Sequence, residues 1–262
     1  MIPAFSTDDG SGPPLLLLHA FPLNAAMWQP LRRDLARRWR VISLTLPGFG
    51  RGGPFLPGTT IDDCADMACA LLDTMNIDRA AVAGCSMGGY ITLAMFRRHP
   101  ERVAAMILAN TRAGADAAEA AANRSAQARA VREGGLAAFL AGMRDKLVGP
   151  TTQATAPDVL QLIDEMMASA TVEGTAGMLD AMRQRPDSTA TLAAATVPVC
   201  LIAGAEDVLI PPAEAEAMQA LLPAAELHIL PTSGHLSCLE RPMLFNNIVD
   251  TFLARRVWPA RS

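Results

Sequence analysis

One stretch limits the possible folds more than any other: Ala80-Ala81-Val82-Ala83-Gly84-Cys85-Ser86-Met87-Gly88-Gly89-Tyr90. A short apolar run ends at a serine set between glycines, and a helix-compatible run from Ile91 to Phe96 follows. Gly84-x-Ser86-x-Gly88 fits a strand-to-helix turn so sharp that the serine backbone is strained. Side chains two residues either side would collide in such a turn, so Gly84 and Gly88 supply the room. The hydroxyl is lifted above a sheet, and the new helix aims its unpaired N–H groups at the same place. The same pentapeptide also suits a Gly-rich turn with a bystander serine. An acid, a base and a second amide donor, in the right order elsewhere, separate the two.

The rest of the chain supplies the rhythm that such a turn needs. Leu15–Leu18, Arg40–Leu46, Ala80–Cys85, Val103–Ala109, Pro198–Gly204 and Glu226–Leu230 read as strands. Most are nearly all apolar, as expected of a parallel sheet covered on both faces. Helical patterns alternate with them: about 26–38, from Thr60 onward with Thr60-x-x-Asp63 as a capping box, from the elbow to about Arg98, about 213–222 and about 243–255. Residues 111–190 break the rhythm. Ala-rich helical stretches at about 115–131, 134–146, 157–170 and 172–183 replace the strands there. The spacing predicts an α/β core over 1–110 and 191–262, with 111–190 as a helical cap over the strands' C-terminal edge, where ligands bind in such sheets. Residues 1–14 leave room for one small edge strand at most.

Composition excludes several partner classes. With 262 residues, 51% apolar and 18% charged, the chain buries a substantial core and disorder is not expected. The net charge of −4 comes without a basic stripe, and Arg32-Arg33 and Arg37-Arg38 alternate with Asp34 as a solvated helix face, so no nucleic-acid partner is expected. No apolar run approaches the roughly 20 residues that cross a bilayer, and no basic region with a long apolar run opens the chain, so the expectation is a cytoplasmic protein without a membrane partner. Five scattered cysteines without a C-x-x-C argue against a disulfide framework or a zinc site. Cys85 reads as a small buried filler pointing away from the turn's apex. Gly48, Gly50 and Gly53 match a G-x-G-x-x-G pattern, but Pro54 and Pro57 follow and no helix starts among the glycines to meet a pyrophosphate, so a dinucleotide is not expected.

A serine hydroxyl needs an adjacent base, and four histidines are available. His99 closes a helix beside Pro100 and reads as solvated, and His228 sits within a strand. His19 follows the first buried strand and reads as a residue that holds its loop. His235, in Thr232-Ser233-Gly234-His235-Leu236 beyond the last strand, is the expected base. A base of this kind calls for a carboxylate to fix its tautomer. Asp207, after the strand ending at Gly204, is favoured, and Glu206 is a neighbour that competes. Val103–Ala109 ends instead in the uncharged Asn110. The Met87 amide, after the serine, and the Phe21 amide, after the first buried strand, are the candidate oxyanion donors; Pro22 has no N–H.

Taken together, His19-Ala20-Phe21-Pro22, Pro47-Gly48-Phe49-Gly50, Gly84-Cys85-Ser86-Met87-Gly88-Gly89, Gly204-Ala205-Glu206-Asp207 and Ser233-Gly234-His235 resemble the α/β-hydrolase superfamily. The order Ser86, Asp207, His235 is that of this fold. A serine at the elbow sets aside the branches with aspartate there. Within the superfamily the chain is similar to small carboxylesterases and 3-oxoadipate enol-lactonases. The resemblance implies a mostly parallel doubly wound sheet, a cap inserted after the sixth-strand equivalent, and a serine hydrolase that acts on small to medium apolar esters through an acyl-enzyme. It implies no metal or organic cofactor. Relatives open with an antiparallel hairpin, so the sheet is expected to be short by a strand or more at that edge.

Two residues are candidates for the substrate pocket: Trp28, in the loop region after the first strand, and Arg112, just past a strand end. Arg112 is the cation that a carboxylate-bearing lactone would need. Lactone hydrolysis and a peracid-forming, haloperoxidase-like activity share the same triad. A non-catalytic ligand-binding role on the fold is the reading of a different class.

Overall fold

The computed structural model describes residues 6–259. Seven strands form one sheet: β1 (Ser6–Asp9), β2 (Pro14–Leu18), β3 (Arg40–Leu44), β4 (Ala80–Cys85), β5 (Val103–Ala109), β6 (Val199–Gly204) and β7 (Glu226–Leu230). Their spatial order is β1-β3-β2-β4-β5-β6-β7. All neighbours are parallel except the four-residue β1, which runs antiparallel to β3. β1 does not pair with β2, so no hairpin opens the sheet among the described residues. The expected short first edge is therefore a single strand.

Each central strand divides its side chains between two cores, as a period of two requires. Leu16, Leu18, Ile42, Leu44, Val82, Met106, Leu108 and Leu201 face one way, onto α2 (Ile61–Thr74) and α3 (Met87–Arg98). Leu15, Leu17, Val41, Ala81, Ile107, Cys200 and Ile202 face the other, onto α1 (Gln29–Leu35) and α12 (Pro242–Phe252). This is why the strands read as continuous apolar runs: neither face meets water. α2 starts at the capping box expected of it, Thr60 and Asp63 each accepting the other's backbone N–H.

Six helices lie between β5 and β6: α4 (Ala118–Ala130), α5 (Leu136–Arg144), α6 (Pro150–Thr155), α7 (Pro157–Met167), α8 (Val172–Gln184) and α9 (Thr189–Ala193). The short α6 and α9 have too few turns to show a helical period, and the expected boundary at 190 falls inside α9. The four-residue α11 (Ser237–Glu240) is likewise too short to be expected, whereas α10 (Pro212–Leu221) lies where the spacing predicts a helix. The expected helix over 26–38 is shorter, because a 3-10 turn over Ala25–Trp28 precedes α1 and Pro30 sits in its first turn.

The inter-strand block is seated on the core at its glycines. A Cβ on Gly48 (φ +88°) would stand 2.3 Å from the Gly174 Cα. Thr171 donates both its amide and its hydroxyl to the Gly48 carbonyl, at 2.9 and 3.1 Å. The G-x-G-x-x-G loop is thus a packing site, and its first glycine is needed for close backbone approach. No helix among the described residues is long and apolar enough to cross a membrane. All five cysteines are buried and free.

His19 ties the loop after β2 to the residues after β3. It is fully buried, its Nε2 accepts from the Leu46 amide at 3.0 Å, and Nδ1–H donates to the Ala20 carbonyl at 2.9 Å. It holds the β2 loop against the end of β3, as its position in the sequence suggested. Burial lowers its pKa to about 4, only partly offset by the bond to Ala20. An unfolded chain binds this proton near pH 6.5, so between about pH 6.5 and 4 the unfolded state holds more protons and stability falls as pH falls. Replacing His19 by Asn should lower the urea midpoint at pH 7. It should also flatten the decline between pH 6.5 and 4, which parallel urea titrations of the two proteins will show; an unchanged slope would contradict the neutral buried imidazole.

Candidate active site

The elbow forms where the sequence placed it. β4 ends at Cys85, α3 begins at Met87, and Ser86 between them has φ 54° and ψ −113°. A non-glycine residue in this region costs of order 1–3 kcal/mol, so its surroundings must over-determine it. They do. The Ser86 amide donates to the Ala109 carbonyl at 2.9 Å, and the Ser86 carbonyl accepts the Thr111 hydroxyl at 2.8 Å and the Gly89 amide at 2.9 Å. A Cβ on Gly84 would lie 2.1 Å from the Gly88 oxygen, and one on Gly88 2.1 Å from the Leu18 oxygen. No other residue fits either place.

Asp207 and His235 come from separate loops, after β6 and β7, and meet in a buried hydrogen bond of 2.8 Å from Nδ1–H to Oδ2. With Nδ1 donating, the neutral ring keeps its lone pair on Nε2. The carboxylate is built to stay ionised. Burial opposes its charge, but the His235 ring, the Ile210 amide and the Asn110 amide outweigh this and hold its pKa below the ordinary value. Its other oxygen accepts the Leu209 and Ile210 amides, both at 2.9 Å.

Glu206, the sequence neighbour that competed for this place, turns elsewhere. It accepts the Thr151 amide at 3.1 Å and the Thr151 hydroxyl at 2.5 Å, at the start of α6. Cys85 is fully buried and donates its Sγ–H to the His235 carbonyl at 3.7 Å. Hydrogen bonding with Cys238, then burial, push this thiol well above its ordinary range, so it stays protonated.

Ser86 and His235 line one cavity of about 220 Å³. Phe21 lies on its wall, buried and edge-on to Phe49 at 5.9 Å. The Met87 amide belongs to the first turn of α3, where N–H groups have no partner within the helix. Arg112 also lines the cavity, with Nη2 on the Leu209 carbonyl at 3.2 Å and Nη1 3.4 Å from Glu214. Trp28 does not. It is fully buried in the other core layer, its ring 6.1 Å from Phe245, and it is absent from the cavity wall. The expectation of a pocket role for Trp28 is therefore corrected: the 3-10 turn carries the indole down onto α12, away from Ser86.

Two residues of the site escaped the sequence reading. Asn110 was set aside for lacking charge, yet its amide donates to Asp207 Oδ2 and to the Gly234 carbonyl, both at 3.0 Å, while its oxygen accepts the Ser237 hydroxyl. Its φ of 47° is one that asparagine tolerates better than most residues, and its place at a strand end next to the elbow was the available signal. Glu240 is buried in α11; it accepts the Gly234 and Leu236 amides on either side of His235, and the Gly149 amide and Thr152 hydroxyl of the helical block. Nothing in the sequence around it marks this role.

A model of the family described as "alpha/beta hydrolase fold" matches residues 13–242. The chain belongs to this family. It is 28% identical over 243 residues to 3-oxoadipate enol-lactonase 2 of Acinetobacter baylyi, covering 93% of this chain and 89% of the other. A thermophilic esterase from Thermogutta terrifontis, solved with malate bound, superposes with a TM-score of 0.92 at 34% identity, over 95% of this chain and 92% of the other. The enol-lactonase of Burkholderia xenovorans superposes with a TM-score of 0.88 at 26% identity, over 95% and 96%. This chain is a hydrolase of the same family.

The Asn110 contacts lead to a stability test. Asn110→Gly keeps the left-handed backbone and removes only the amide; it should cost about 1–3 kcal/mol, from two buried acceptors that lose a donor. It should also raise the Asp207 pKa, so that acid unfolding begins at higher pH. Asn110→Ala should cost about 1 kcal/mol more for its conformation. Urea denaturation at pH 7 and pH 4 separates the two effects.

Proposed function

We propose that this hydrolase cleaves carboxylic ester bonds of small molecules through a covalent acyl-serine. The observation that carries the reading is the buried Asp207–His235 hydrogen bond, on the same cavity as a strained, partly exposed Ser86. In this mechanism the Ser86 hydroxyl attacks the ester carbonyl while His235 Nε2 takes its proton. The Met87 and Phe21 amides receive the developing oxyanion, each such donor contributing roughly 3 kcal/mol to the transition state. His235 passes its proton to the departing alkoxide. Water, deprotonated by the same ring, then frees the acid and restores Ser86. Asp207 holds the ring's tautomer and offsets its transient charge, and Asn110 holds Asp207.

Residues 111–190 serve as the cap. Their side chains Phe139, Met143, Leu179 and Met182, with Phe21, Leu209 and Ile210 from the core, supply the apolar part of the cavity wall, which suits acyl or alcohol groups of modest size. Cyclic esters open by the same steps, and the likeness to two enol-lactonases favours lactones as a second substrate class.

Ser86→Ala should lower p-nitrophenyl acetate and butyrate turnover by at least about a thousandfold and abolish the mass adduct left by a fluorophosphonate probe. Labelling that persists in this variant would move the nucleophile elsewhere and end the assignment. Its melting temperature should not fall, since the substitution removes no core contact.

A further inference from the structure

The apolar wall is only half of the cavity. The residues that complete it from the start of the helical block are polar: Asp116, Asn123, Arg124 and Gln127, with Arg112 and Tyr90 from the core side. Their charges do not balance. Asp116 has side-chain exposure of only 3% and faces two guanidiniums, Arg124 through Nε at 2.6 Å and Arg185 through Nη1 at 2.8 Å. Arg185 is fully engaged: it also donates to the Met182 and Gly114 carbonyls and lies over the Tyr90 ring, 4.0 Å from its centre.

Arg124 is not. Besides Asp116 its one other contact is a weak bond from Nη1 to the Met182 sulfur at 3.7 Å, which leaves Nη2 without an acceptor among the described residues. Arg112 adds a third guanidinium, and its Nε is buried with no hydrogen-bond partner. Its counter-charge, Glu214, is more than a third exposed, 3.4 Å away and off the cavity wall. Burial works against ionising Asp116, yet the two arginines beside it hold its pKa below the ordinary value, so the cluster keeps its charges. On the cavity wall itself two guanidiniums, Arg112 and Arg124, therefore stand beside one carboxylate, Asp116, where solvent screening is weaker than on the open surface.

An excess guanidinium with free donors, in a cavity shared with a nucleophile, recognises an anion, and a planar fork suits a carboxylate best. We propose that the substrates are esters or lactones carrying a second, free carboxylate remote from the scissile bond, and that Arg124, supported by Arg112, selects them. This rests on the acyl-serine reading for the chemistry, but the anion site stands on its own geometry. Asp116 has a defined part in it: shared between Arg124 and Arg185, it fixes the Arg124 fork without neutralising both arginines. The phenyl and thioether groups that share the wall, Phe139, Met143 and Met182, then bound the chain between the two carboxyl functions.

Two 4-nitrophenyl esters of matched length decide the matter, the monoglutarate and the hexanoate, each measured above its uncatalysed background. The wild-type protein should favour the monoglutarate in kcat/KM. Arg124→Gln should lower that value about ten- to a hundredfold, mainly through KM, and leave the hexanoate within about threefold. Arg124→Lys should recover part of the loss. Equal losses on both esters, or a wild-type preference for the hexanoate, overturn the proposal. Calorimetry gives an arm that needs neither turnover nor a folded variant: wild-type protein should bind glutarate at least tenfold more tightly than glutaramide, and equal affinity overturns the proposal. If neither ester is hydrolysed while glutarate binds selectively, the acyl-serine reading fails and the carboxylate site stands.

Discussion

The turn at Ser86 depends on backbone meeting backbone. Gly84 lies against the Gly88 carbonyl and Gly88 against the Leu18 carbonyl, at separations that leave no space for a Cβ. These contacts lock three things into one rigid body: the end of β4, the first turn of α3 and the end of β2. Since β2 leads into the Phe21 loop, the same contact that strains Ser86 also sets the loop that faces it. The strain, of order 1–3 kcal/mol, is small beside the apolar burial of α3, whose residues Met87 to Phe96 are all buried. Packing on both sides of the turn therefore offsets what the turn costs, and the site inherits the rigidity of the core.

The fold was legible because its two strongest signals are local. Strands buried on both faces must be apolar throughout, so β2, β4 and β6 announce themselves; the capping box announces α2. The pairing of Asp207 with His235 was legible for another reason. In a parallel sheet every strand's C-terminal end lies on one edge, so loops distant in sequence converge there, and few ionisable residues occupy those loops. What escaped was shape without charge or period. α6, α9 and α11 are too short to show periodicity, and Asn110 bears no charge to attract notice. Trp28 shows the converse error. Its place in the chain suggested a pocket residue, but the direction of a side chain on a 3-10 turn is decided by what packs beneath it, here Phe245.

Glu206 and Asp207 show how environment divides adjacent carboxylates. Both lie in the turn after β6, closed by the Asp207 amide on the Gly204 carbonyl, and they leave it toward different partners. Asp207 turns inward to three amide donors and a histidine ring; Glu206 turns outward to the first turn of α6, which it caps at Thr151. A dipole argument explains the outward choice: the amides that open a helix favour a negative charge, and Pro150 leaves Thr151 as the first available donor there.

Glu240 joins these parts. Its carboxylate takes one donor from each side of His235 and two from the segment that opens α6, all within a region closed to water. Buried charge is costly unless its acceptor sites are filled, and here Oε2 accepts three hydrogen bonds and Oε1 a fourth. The helical block and the His235 loop thus share an anchor that neither can leave without stranding a buried charge. The block's seating on the core and the orientation of the imidazole are consequently one structural fact. With Glu206 fastening the next residue of the same segment, the loops bearing Asp207 and His235 are each clamped to the first turn of α6.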